Sequence, residues 1–387
     1  MSSVGKFHSF DLARQLHRRG QLLRIHTGYP MFKLRSEGLP ADLIQTHPWL
    51  RTPYMAVAGR ISLSAPVARA AEHCTMRDLD RRVSRCLEAA DVFVGLSGGA
   101  LLSGRTARAM GMVHVCDRGS THIQAQARLL TEEFARWGEP CDDMHPATVD
   151  VELQEYAEAD AITVPSSFAR RTFLAHGVPE GKVHVLPYGV DLGRFQPRSV
   201  PASDTFDVLF AGGASLRKGV PYLIQAFMRL KHPAKRLRFA GQFPPSLQHK
   251  LRQRGHWHEA IELLGHLSTD ALCELMSRSH VLVLPSVEDG FGLVMAQAMA
   301  CGCPVIASLN TGAEDLFADG REGFHVPAAS AEHLLERLQQ LADQPDVRRC
   351  MAQAARLKVE TLNGWAQYGE AASLLFQRLR SQGARAS

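Results

Sequence analysis

Short apolar runs alternate with longer amphipathic segments through the second half of the chain. The strand-like runs are residues 206–211, 237–241, 261–265, 281–284 and 305–307. Helical segments separate these runs, and residues 331–343 and 346–358 have the periodicity of amphipathic helices. Regular alternation of buried strands and helices is typical of a parallel sheet with helices on both faces. The pattern therefore predicts an α/β fold with a doubly wound parallel sheet.

The first half of the chain has a weaker pattern. Residues 92–96 and 113–116 are predicted to be strands, and only four residues precede Gly5, so a first strand there must be very short. A chain of 387 residues is too long for one ordinary hydrophobic core and suits two domains. The Pro- and Ser-rich residues 196–205 are the natural linker between them.

Residues 284–308 carry the clearest functional signal. After a short apolar strand the loop Gly290-Phe291-Gly292 leads into a helix that is predicted to begin at Leu293. In open α/β sheets ligands bind at the carboxyl ends of the strands. Glycines let the backbone approach a ligand, and the free N–H groups of a helix start suit an anion. The loop is interpreted as a phosphate site, and the alternative is an ordinary tight turn.

The same segment resembles the donor-binding motif of family 4 glycosyltransferases, which are retaining enzymes with the two-domain fold called GT-B. That motif has an acid before Gly-Phe-Gly and a second acid eight positions later. Asp289 occupies the first position and Gln297 the second, and Gln297 is the one strongly polar residue of an apolar helix. The resemblance implies that Asp289 contacts donor-sugar hydroxyls and Gln297 the ribose. An amide can donate and accept, though more weakly than a carboxylate accepts.

A second glycine-containing turn follows the strand at residues 206–211. It contains Gly212, Gly213, Arg217 and Lys218. The family places an Arg just after the first glycine and a Lys before the last, and both bind the donor diphosphate. Lys218 stands at the Lys position, whereas Gly213 replaces the Arg, and Arg217 is expected to supply the missing charge. The alternative for such an Arg-Lys pair is a solvated basic turn.

The resemblance covers most of the chain and implies the whole architecture. Two Rossmann-like domains are expected to face each other across a cleft, with boundaries at residues 1–198 for the acceptor side and 199–364 for the nucleotide-sugar side. Residues 365–387 are expected to form a helix that packs back on the first domain. Thr311 and Gly312 lie in a turn whose counterpart in the family faces the donor diphosphate or sugar.

Turns of the first half supply the candidates for the acceptor side and the reaction centre. By resemblance, Gly5 stands where the family has a glycine-rich turn near the acceptor, and Ser97 and Gly98 end a strand that can border the cleft. Many relatives carry a His near the end of the next strand, where this chain has Asp117 and His122. One of these two is expected to face the reaction centre. The alternative is a plain turn.

Composition narrows the function further. A formal net charge of +5 without a long basic run does not favour nucleic-acid binding. No apolar run approaches 18 residues, and the N-terminus lacks signal-peptide regions, so a cytoplasmic protein is expected. Arg-rich helical surfaces around residues 14–19 and 77–85 are compatible with peripheral contact on the inner face of an anionic membrane, or equally with solvated faces. Eight scattered cysteines indicate free thiols, and no metal-ligand motif is present.

These features leave three classes of function open. The first is a retaining glycosyltransferase that transfers a sugar from a nucleotide-diphosphate sugar to a glycan or lipid-linked acceptor, with no metal and no cofactor. The second is a nucleotide-sugar epimerase of the same architecture. The third is a binding protein that kept the fold and lost turnover, which the departures at Gly213, Asp289 and Gln297 would explain. The sequence leaves the sugar, the nucleotide, the acceptor and the oligomeric state open.

Overall fold

Two parallel β-sheets organise the protein in its computed structural model. The structure describes residues 1–58, 65–141, 144–362 and 364–386. All seven strands of the first sheet precede residue 186, and all six strands of the second lie between residues 206 and 326. Every pairing between neighbouring strands is parallel. The predicted α/β architecture with two doubly wound sheets is therefore confirmed.

The order in which strands are added to the first sheet reverses between its first and fourth strands, although all seven strands are parallel. Its strands are β1 (Ser2–Ser3), β2 (Ile25–Thr27), β3 (Ile44–Thr46), β4 (Val92–Leu96), β5 (Val113–Asp117), β6 (Ala161–Val164) and β7 (Val183–Val185). Their order in the sheet is β3-β2-β1-β4-β5-β6-β7. The crevice between the loops that follow β1 and β4 is the switch point at which such sheets bind ligands.

The second sheet repeats this arrangement. Its strands are β8 (Phe206–Ala211), β9 (Lys235–Ala240), β10 (Ile261–Gly265), β11 (Val281–Leu284), β12 (Val305–Ser308) and β13 (Gly323–Val326). Their order is β10-β9-β8-β11-β12-β13, so the switch point lies between the loops after β8 and β11. All residues of β8, β11 and β12 are buried, as expected for central strands covered on both faces.

Helices fill the connections between the strands. They are α1 (Phe7–Arg18), α2 (Arg51–Ala58), α3 (Ala65–Cys86), α4 (Leu101–Ala109), α5 (Ile123–Arg136), α6 (Pro146–Glu158), α7 (Ser167–Ala175), α8 (Val220–Arg229), α9 (Pro245–Gln253), α10 (Thr269–Ser277), α11 (Leu293–Ala300), α12 (Ala313–Leu316), α13 (Ala331–Asp343), α14 (Pro345–Thr361) and α15 (Gly364–Ala386). Short 3₁₀ segments occupy Met31–Lys33, Arg35–Glu37, Ala41–Leu43 and Glu180–Lys182. Several helices start at a serine whose hydroxyl accepts a first-turn N–H, as Ser166, Ser268 and Ser330 do.

Large apolar side chains hold the second domain together. Phe206 and Phe210 of β8, Phe239 of β9 and Phe227 of α8 are completely or almost completely buried in one cluster that α13 also covers. The opposite face of the sheet is closed by α11, whose Met295 is fully buried. Burying one such side chain contributes about 1.5–3 kcal/mol, so this sheet provides a rigid platform for the loops at its carboxyl edge.

The C-terminal helix returns to the first domain. Leu375 and Phe376 of α15 share a core cluster with Leu12 of α1, which lies in the first domain. Gly369 permits this packing, because a Cβ at that position would lie 2.3 Å from the Cβ of Gln15. The expected packing of the C-terminal helix on the first domain is therefore confirmed.

The two domains also touch beside the cleft, at the end of α5. The Trp137 side chain belongs to the hydrophobic cluster of the second domain, and the guanidinium of Arg254 lies 4.7 Å from its ring centroid. Glu133 accepts hydrogen bonds from Trp137 at 2.9 Å and from Tyr222 of α8 at 2.9 Å. These contacts fix the end of α5 against α8 and hold the two sheets in one relative position.

Several local expectations can be compared with this structure. The very short first strand and the second-domain strands are confirmed. The strand predicted at residues 113–116 continues to Asp117. The eight cysteines are free thiols. No helix in the described part of the chain is long and apolar enough to cross a membrane.

Candidate functional site

The loops that follow the strands at the two switch points form the candidate site. In the first sheet these loops contain Gly5, after β1, and Ser97 and Gly98, after β4. In the second sheet they begin at Gly212, after β8, and at residue 285, after β11. The carboxyl edges of the two sheets face each other, as the direct contacts described below show. Most residues that the sequence singled out therefore border one cleft.

The basic turn after β8 lies against the loop after β11. Gly212 and Gly213 are exposed, and Arg217 and Lys218 follow just before α8. The ammonium of Lys218 lies 2.5 Å from Oδ2 of Asp289. The side chains of Arg217 and Lys218 are 33% and 26% exposed, so both retain hydrogen-bond donors that a ligand in the cleft can reach. The structure thus brings together two cations and the predicted sugar-binding acid.

Glu288 joins the two domains at this point. Its carboxylate accepts hydrogen bonds from Ser120 Oγ at 2.6 Å, Thr121 Oγ1 at 2.7 Å, Gln126 Nε2 at 2.9 Å and Arg217 Nε at 2.8 Å. Burial alone would raise the pKa of this fully buried acid, but Arg217 and the other donors outweigh burial and lower it to about 2. Three of these four donors come from the first domain, so Glu288 is a charged interdomain contact.

Glu288 stands one position before the acid of the family motif, so the motif gives it no role. The structure gives the neighbouring acids different tasks, since Glu288 binds the first domain and Asp289 faces Lys218. The only indication in the sequence is that Glu288 is an acid next to the predicted ligand loop. The sequence does not indicate that Glu288 binds residues 120–126 of the first domain.

The glycine loop after β11 lies directly on the first domain. A Cβ on Gly290 would lie 2.2 Å from the carbonyl oxygen of Gly119 and 2.6 Å from Cα of Ser120, so only glycine fits between these backbones. The hydroxyl of Ser166, the N-cap of α7, donates to the Gly290 carbonyl at 2.6 Å. The loop that sequence reasoning assigned to a phosphate therefore also forms part of the domain interface.

Asp117 sits at the end of β5 and orients a histidine that the sequence analysis did not select. His8, in the first turn of α1, places Nε2 2.7 Å from Oδ2 of Asp117, and Thr163 donates to Oδ1 at 2.9 Å. The Tyr188 ring stacks on His8 with centroids 4.3 Å apart. The His8 ring lies 3.2 Å from where a Cβ on Gly119 would be, next to the glycine loop of the second domain. The only indication of His8 in the sequence is that it is a histidine shortly after the very short first strand.

His122 does not face the cleft as expected, because its ring packs in an aromatic cluster of the first domain. Its ring stacks on His176 with centroids 4.3 Å apart and lies 5.0 Å from the Phe173 ring. Its Nδ1 accepts the Gln124 N–H as the N-cap of α5. Burial, and after it the neighbouring His176, lower its pKa to about 4. The side chain starts a helix and fills an aromatic cluster, whereas Asp117 occupies the cleft side of the strand end.

Gln297 borders a cavity of about 570 Å³ between the domains. Leu293 and Gln297 line it from α11, and Arg14 and Arg18 line it from α1 of the first domain. Gln297 is half-buried, and its side chain makes no hydrogen bond to any residue that the structure describes. The amide is therefore free to bind a ligand from this cavity.

Thr311 and Gly312 lie in the turn after β12, which contacts the glycine loop. Thr311 is buried, and its hydroxyl donates to the Ser308 carbonyl at 2.7 Å. The Gly312 N–H donates to the Phe291 carbonyl at 2.9 Å. Phe291 is buried and packs edge-on against Tyr188, with ring centroids 5.3 Å apart. The hydroxyl of Thr311 and the ring of Phe291 thus shape the loop rather than face the cleft.

The turn after β4 is occupied by a carboxyl group of its own domain, that of Glu155. Glu155 accepts the N–H groups of Gly98 at 2.6 Å and Ala100 at 2.8 Å. Burial raises the pKa of Glu155 to about 8. Ser97 is buried, and the Gly5 carbonyl accepts from Ser3 Oγ at 2.9 Å. These acceptor-side candidates lie at the switch point, where the N–H of Gly98 is already bound by Glu155.

A second cavity, of about 580 Å³, lies at the other edge of the first sheet. It is lined by Met1, Arg24 and Val92, at the amino-terminal ends of the strands, and by Phe376 of α15. None of the cleft residues named above lines it. Ligands of doubly wound sheets bind at the carboxyl ends of the strands, so the cleft and not this cavity is the candidate site.

Two family models match adjoining parts of the chain. The model described as Glycosyltransferase Family 4 matches residues 7–194, and the model described as Glycosyl transferases group 1 matches residues 194–358. Together they span residues 7–358, which contain every strand except β1 and every predicted site residue except Gly5.

Individual relatives agree with these matches. The chain is 29% identical over 224 residues to a D-inositol 3-phosphate glycosyltransferase of Pseudarthrobacter chlorophenolicus, covering 54% of this chain and 53% of that protein. The chain spans about half the length of the curated relatives it matches. Sucrose-phosphate synthase from Thermosynechococcus elongatus has a similar structure, with a TM-score of 0.73 and 20% identity over 98% of this chain and 94% of that one.

A further solved structure has the same fold. Anabaena HepE in complex with UDP-glucose matches with a TM-score of 0.70 and 16% identity over 97% of this chain and 98% of that one. At these identities the likeness concerns the fold, which is the GT-B arrangement of two Rossmann-like domains. Together with the two models, these findings show that the chain belongs to the group 1, family 4 glycosyltransferases.

Proposed function

We propose that this glycosyltransferase uses a nucleotide-diphosphate sugar and retains the anomeric configuration of the sugar. The observation that carries the proposal is the cluster of Arg217, Lys218 and Asp289 at the switch point of the second sheet. Two cations at the carboxyl edge of a Rossmann-like sheet suit a diphosphate, and an adjacent acid suits sugar hydroxyls. In this proposal the acceptor is a glycan or a lipid-linked glycan.

Departure of the nucleotide diphosphate is the step that these cations would assist. Negative charge grows on the phosphate as the bond to the sugar breaks, and Lys218 and Arg217 would stabilise it. Helix α11 begins at Leu293 without a side-chain cap, so its first N–H groups add positive potential at the same loop. The acceptor hydroxyl would attack on the face that the diphosphate leaves, and a phosphate oxygen would take its proton. This chemistry needs no metal ion.

Donor binding would require an exchange of partners at Lys218. Its ammonium now lies against Asp289, and an incoming phosphate would replace that carboxylate. Asp289 would then be free to accept hydrogen bonds from the sugar hydroxyls. His8, oriented by Asp117, is the imidazole placed beside the glycine loop and would face the sugar from the first domain. The nucleoside would occupy the cavity at Gln297.

A panel of donors tests this proposal. UDP-glucose is the first donor to use, because HepE forms a complex with it, and GDP-mannose and other UDP- and GDP-sugars complete the panel. Purified protein in buffer without Mg²⁺ or Mn²⁺ is expected to release UDP or GDP slowly from one donor, and faster when an acceptor glycan is added. Product analysis by NMR is expected to show the donor's anomeric configuration. No release from any donor, or inversion of the anomer, would contradict the proposal.

One observation favours a second candidate, a nucleotide-sugar-binding protein without turnover. Both cations of the cluster are already paired with carboxylates of the protein, Arg217 with Glu288 and Lys218 with Asp289. If the exchange at Lys218 does not occur, a donor could bind at Gln297 while its diphosphate stayed unactivated. This candidate predicts tight binding of UDP-sugar or GDP-sugar by calorimetry together with no release of UDP or GDP.

Gln297 provides a separate test of the donor site. Gln297→Ala is expected to weaken the affinity for free UDP or GDP by about 1–2 kcal/mol, because a ribose hydroxyl loses its partner. Gln297→Glu is expected to keep or increase affinity, since a carboxylate accepts from both ribose hydroxyls. Asp289→Asn is the matched comparison and is expected to preserve nucleotide affinity while transfer falls. Calorimetric titration and melting temperatures measure these effects. Unchanged affinity in Gln297→Ala with a lower melting temperature would show that the residue only packs.

A further inference from the structure

Two histidines and a cysteine meet at the edge of the first sheet. His26 lies in β2, His47 follows β3 directly, and Cys86 is the last residue of α3. Their ligand atoms all lie within 4.8 Å of one another, with His26 Nδ1 and His47 Nε2 3.3 Å apart. In the described part of the chain this is the one group of three His, Cys, Asp or Glu side chains so close together. None of the three belongs to the cleft.

The spacing of the two nitrogens fits a tetrahedral metal ion. Zinc–nitrogen bonds of about 2.0–2.1 Å place two nitrogens of a tetrahedron about 3.4 Å apart, and the nitrogens of His26 and His47 are 3.3 Å apart. The Cys86 Sγ lies within 4.8 Å of both and now donates to the Arg82 carbonyl at 3.1 Å. Because Cys86 ends its helix and is half-buried, a rotation of its side chain can exchange that carbonyl for a metal ion.

The arginines near the three side chains are paired with acids, and a cavity gives a metal ion access to His26. Arg24 is paired with Glu88 at 2.8 Å, and Arg82 with Asp78 at 2.8 Å, so the neighbouring arginines are neutralised by acids. His26 lines the cavity of about 580 Å³ at the amino-terminal edge of the sheet. An ion and a water molecule can therefore reach its imidazole without unfolding of the strands.

We propose that His26, His47 and Cys86 bind one Zn²⁺ ion, with water in the fourth position. Two imidazoles and a thiolate are the ligand types that zinc prefers. Binding replaces the proton of the Cys86 thiol by the metal, so one proton is released to the buffer for each ion bound at that ligand. The ion would tie β2, β3 and α3 together at the edge of the sheet. It has no part in the proposed transfer reaction at the cleft.

The competing interpretation is a hydrogen bond between two neutral imidazoles, with Cys86 as a bystander. It explains the 3.3 Å contact between the histidines, and it leaves Cys86 with its hydrogen bond to the Arg82 carbonyl. The two interpretations differ in what happens when a divalent ion is added. Only the metal site requires the thiol.

Cobalt serves as the spectroscopic probe. Full-length protein is stripped with a chelator and titrated with Co²⁺, and we expect one ion per chain with a thiolate-to-cobalt charge-transfer absorption that Zn²⁺ abolishes by displacement. Cys86→Ser is expected to remove this absorption and to weaken Zn²⁺ binding at least tenfold. The matched control is Cys74→Ser, which changes an exposed cysteine of the same helix and is expected to leave both unchanged.

A thermal measurement provides the second readout. Zn²⁺ is expected to raise the melting temperature of the wild type and of Cys74→Ser, and to leave His47→Gln unchanged, since ions that bind only the folded state stabilise it. The unliganded variants are compared by circular dichroism to show that they fold. Absence of stoichiometric binding, or binding that Cys86→Ser and His47→Gln do not alter, would overturn the proposal. Release of UDP or GDP is measured separately, so the two proposals fail independently.

Discussion

Lys218→Ala is expected to lower the turnover of sugar transfer by about 10²–10³-fold. One donor preorganised toward a developing oxyanion contributes about 3–4 kcal/mol to the stability of the transition state. In the structure the ammonium of Lys218 is held at the switch point by Asp289 and remains 26% exposed toward the cleft. The same change is expected to have a small effect on folding, because a partly exposed ion pair contributes at most about 1 kcal/mol.

The experiment compares kcat with the donor identified by the panel, together with melting temperatures. Lys231→Ala is the matched control. Lys218 lies just before helix α8, and Lys231 is an exposed lysine just after it. It is expected to leave turnover and stability unchanged. A Lys218→Ala enzyme within a few-fold of wild type would show that Lys218 is only a surface residue. A large loss of stability would show that its main task is the ion pair.

The second sheet could be predicted from the sequence because its strands carry strong local signals. The runs Val281–Leu284 and Phe206–Ala211 are apolar nearly throughout, are followed by Pro285 and Gly212, and are buried at every position in the structure. Such runs of four to six residues between amphipathic helices leave few alternatives. The helix at Ala331–Asp343 is predictable because its apolar stripe follows the helical period.

The first sheet was only partly predictable for a physical reason. Its strands β2 and β3, Ile25–Thr27 and Ile44–Thr46, have three residues each, with one large apolar side chain apiece. Three residues cannot show a period of two, and polar side chains such as His26 are buried there by tertiary contacts rather than by local preference. The hydrophobic pattern therefore predicts neither of these strands, and it does not predict β6 (Ala161–Val164) either.

The candidate site, like the fold, could be predicted only where the signal in the sequence is local. Residues that belong to a local sequence motif, such as Lys218 and Asp289, could be selected from the sequence, and the structure brings the two loops that carry them together. Contacts between distant segments could not. His8 and Asp117 are 109 positions apart, and Glu288 binds Thr121 across 167 positions. No local pattern specifies such a pair, because it depends on how the two sheets are placed.

Glu288→Gln is expected to lower the free energy of unfolding by about 3 kcal/mol at neutral pH. The pKa of Glu288 falls from its ordinary value of 4.5 to about 2, and each pKa unit corresponds to about 1.4 kcal/mol of stabilisation of the charged form. The carboxylate accepts hydrogen bonds from Thr121 and Arg217 in an interior where it is completely buried. An amide of the same shape accepts weaker hydrogen bonds and carries no charge for Arg217.

The pH dependence of this effect has a definite sign. Because the folded-state pKa lies below the ordinary value, the stabilisation is fully present above about pH 5. It is lost as the pH falls from 4.5 towards 2, the folded-state pKa of Glu288. The difference in unfolding free energy between wild type and Glu288→Gln is therefore expected to shrink from about 3 kcal/mol at pH 7 to nearly zero at pH 2. Urea unfolding at a series of pH values measures it.

A second acid of the domain interface supplies the control for Glu288. Glu314 is 38% exposed and pairs with Arg171 of the first domain at 2.5 Å, so Glu314→Gln is expected to change stability by less than about 1 kcal/mol at every pH. Glu288 should also couple energetically to Thr121, and a double-mutant cycle with Thr121→Val is expected to give an interaction energy of about 1 kcal/mol or more. A Glu288→Gln protein as stable as wild type at pH 7, or additive effects in the cycle, would show that the buried carboxylate does not hold the domains together. The expected result would instead assign to Glu288 the contact that keeps the glycine loop at Gly290 against the first domain.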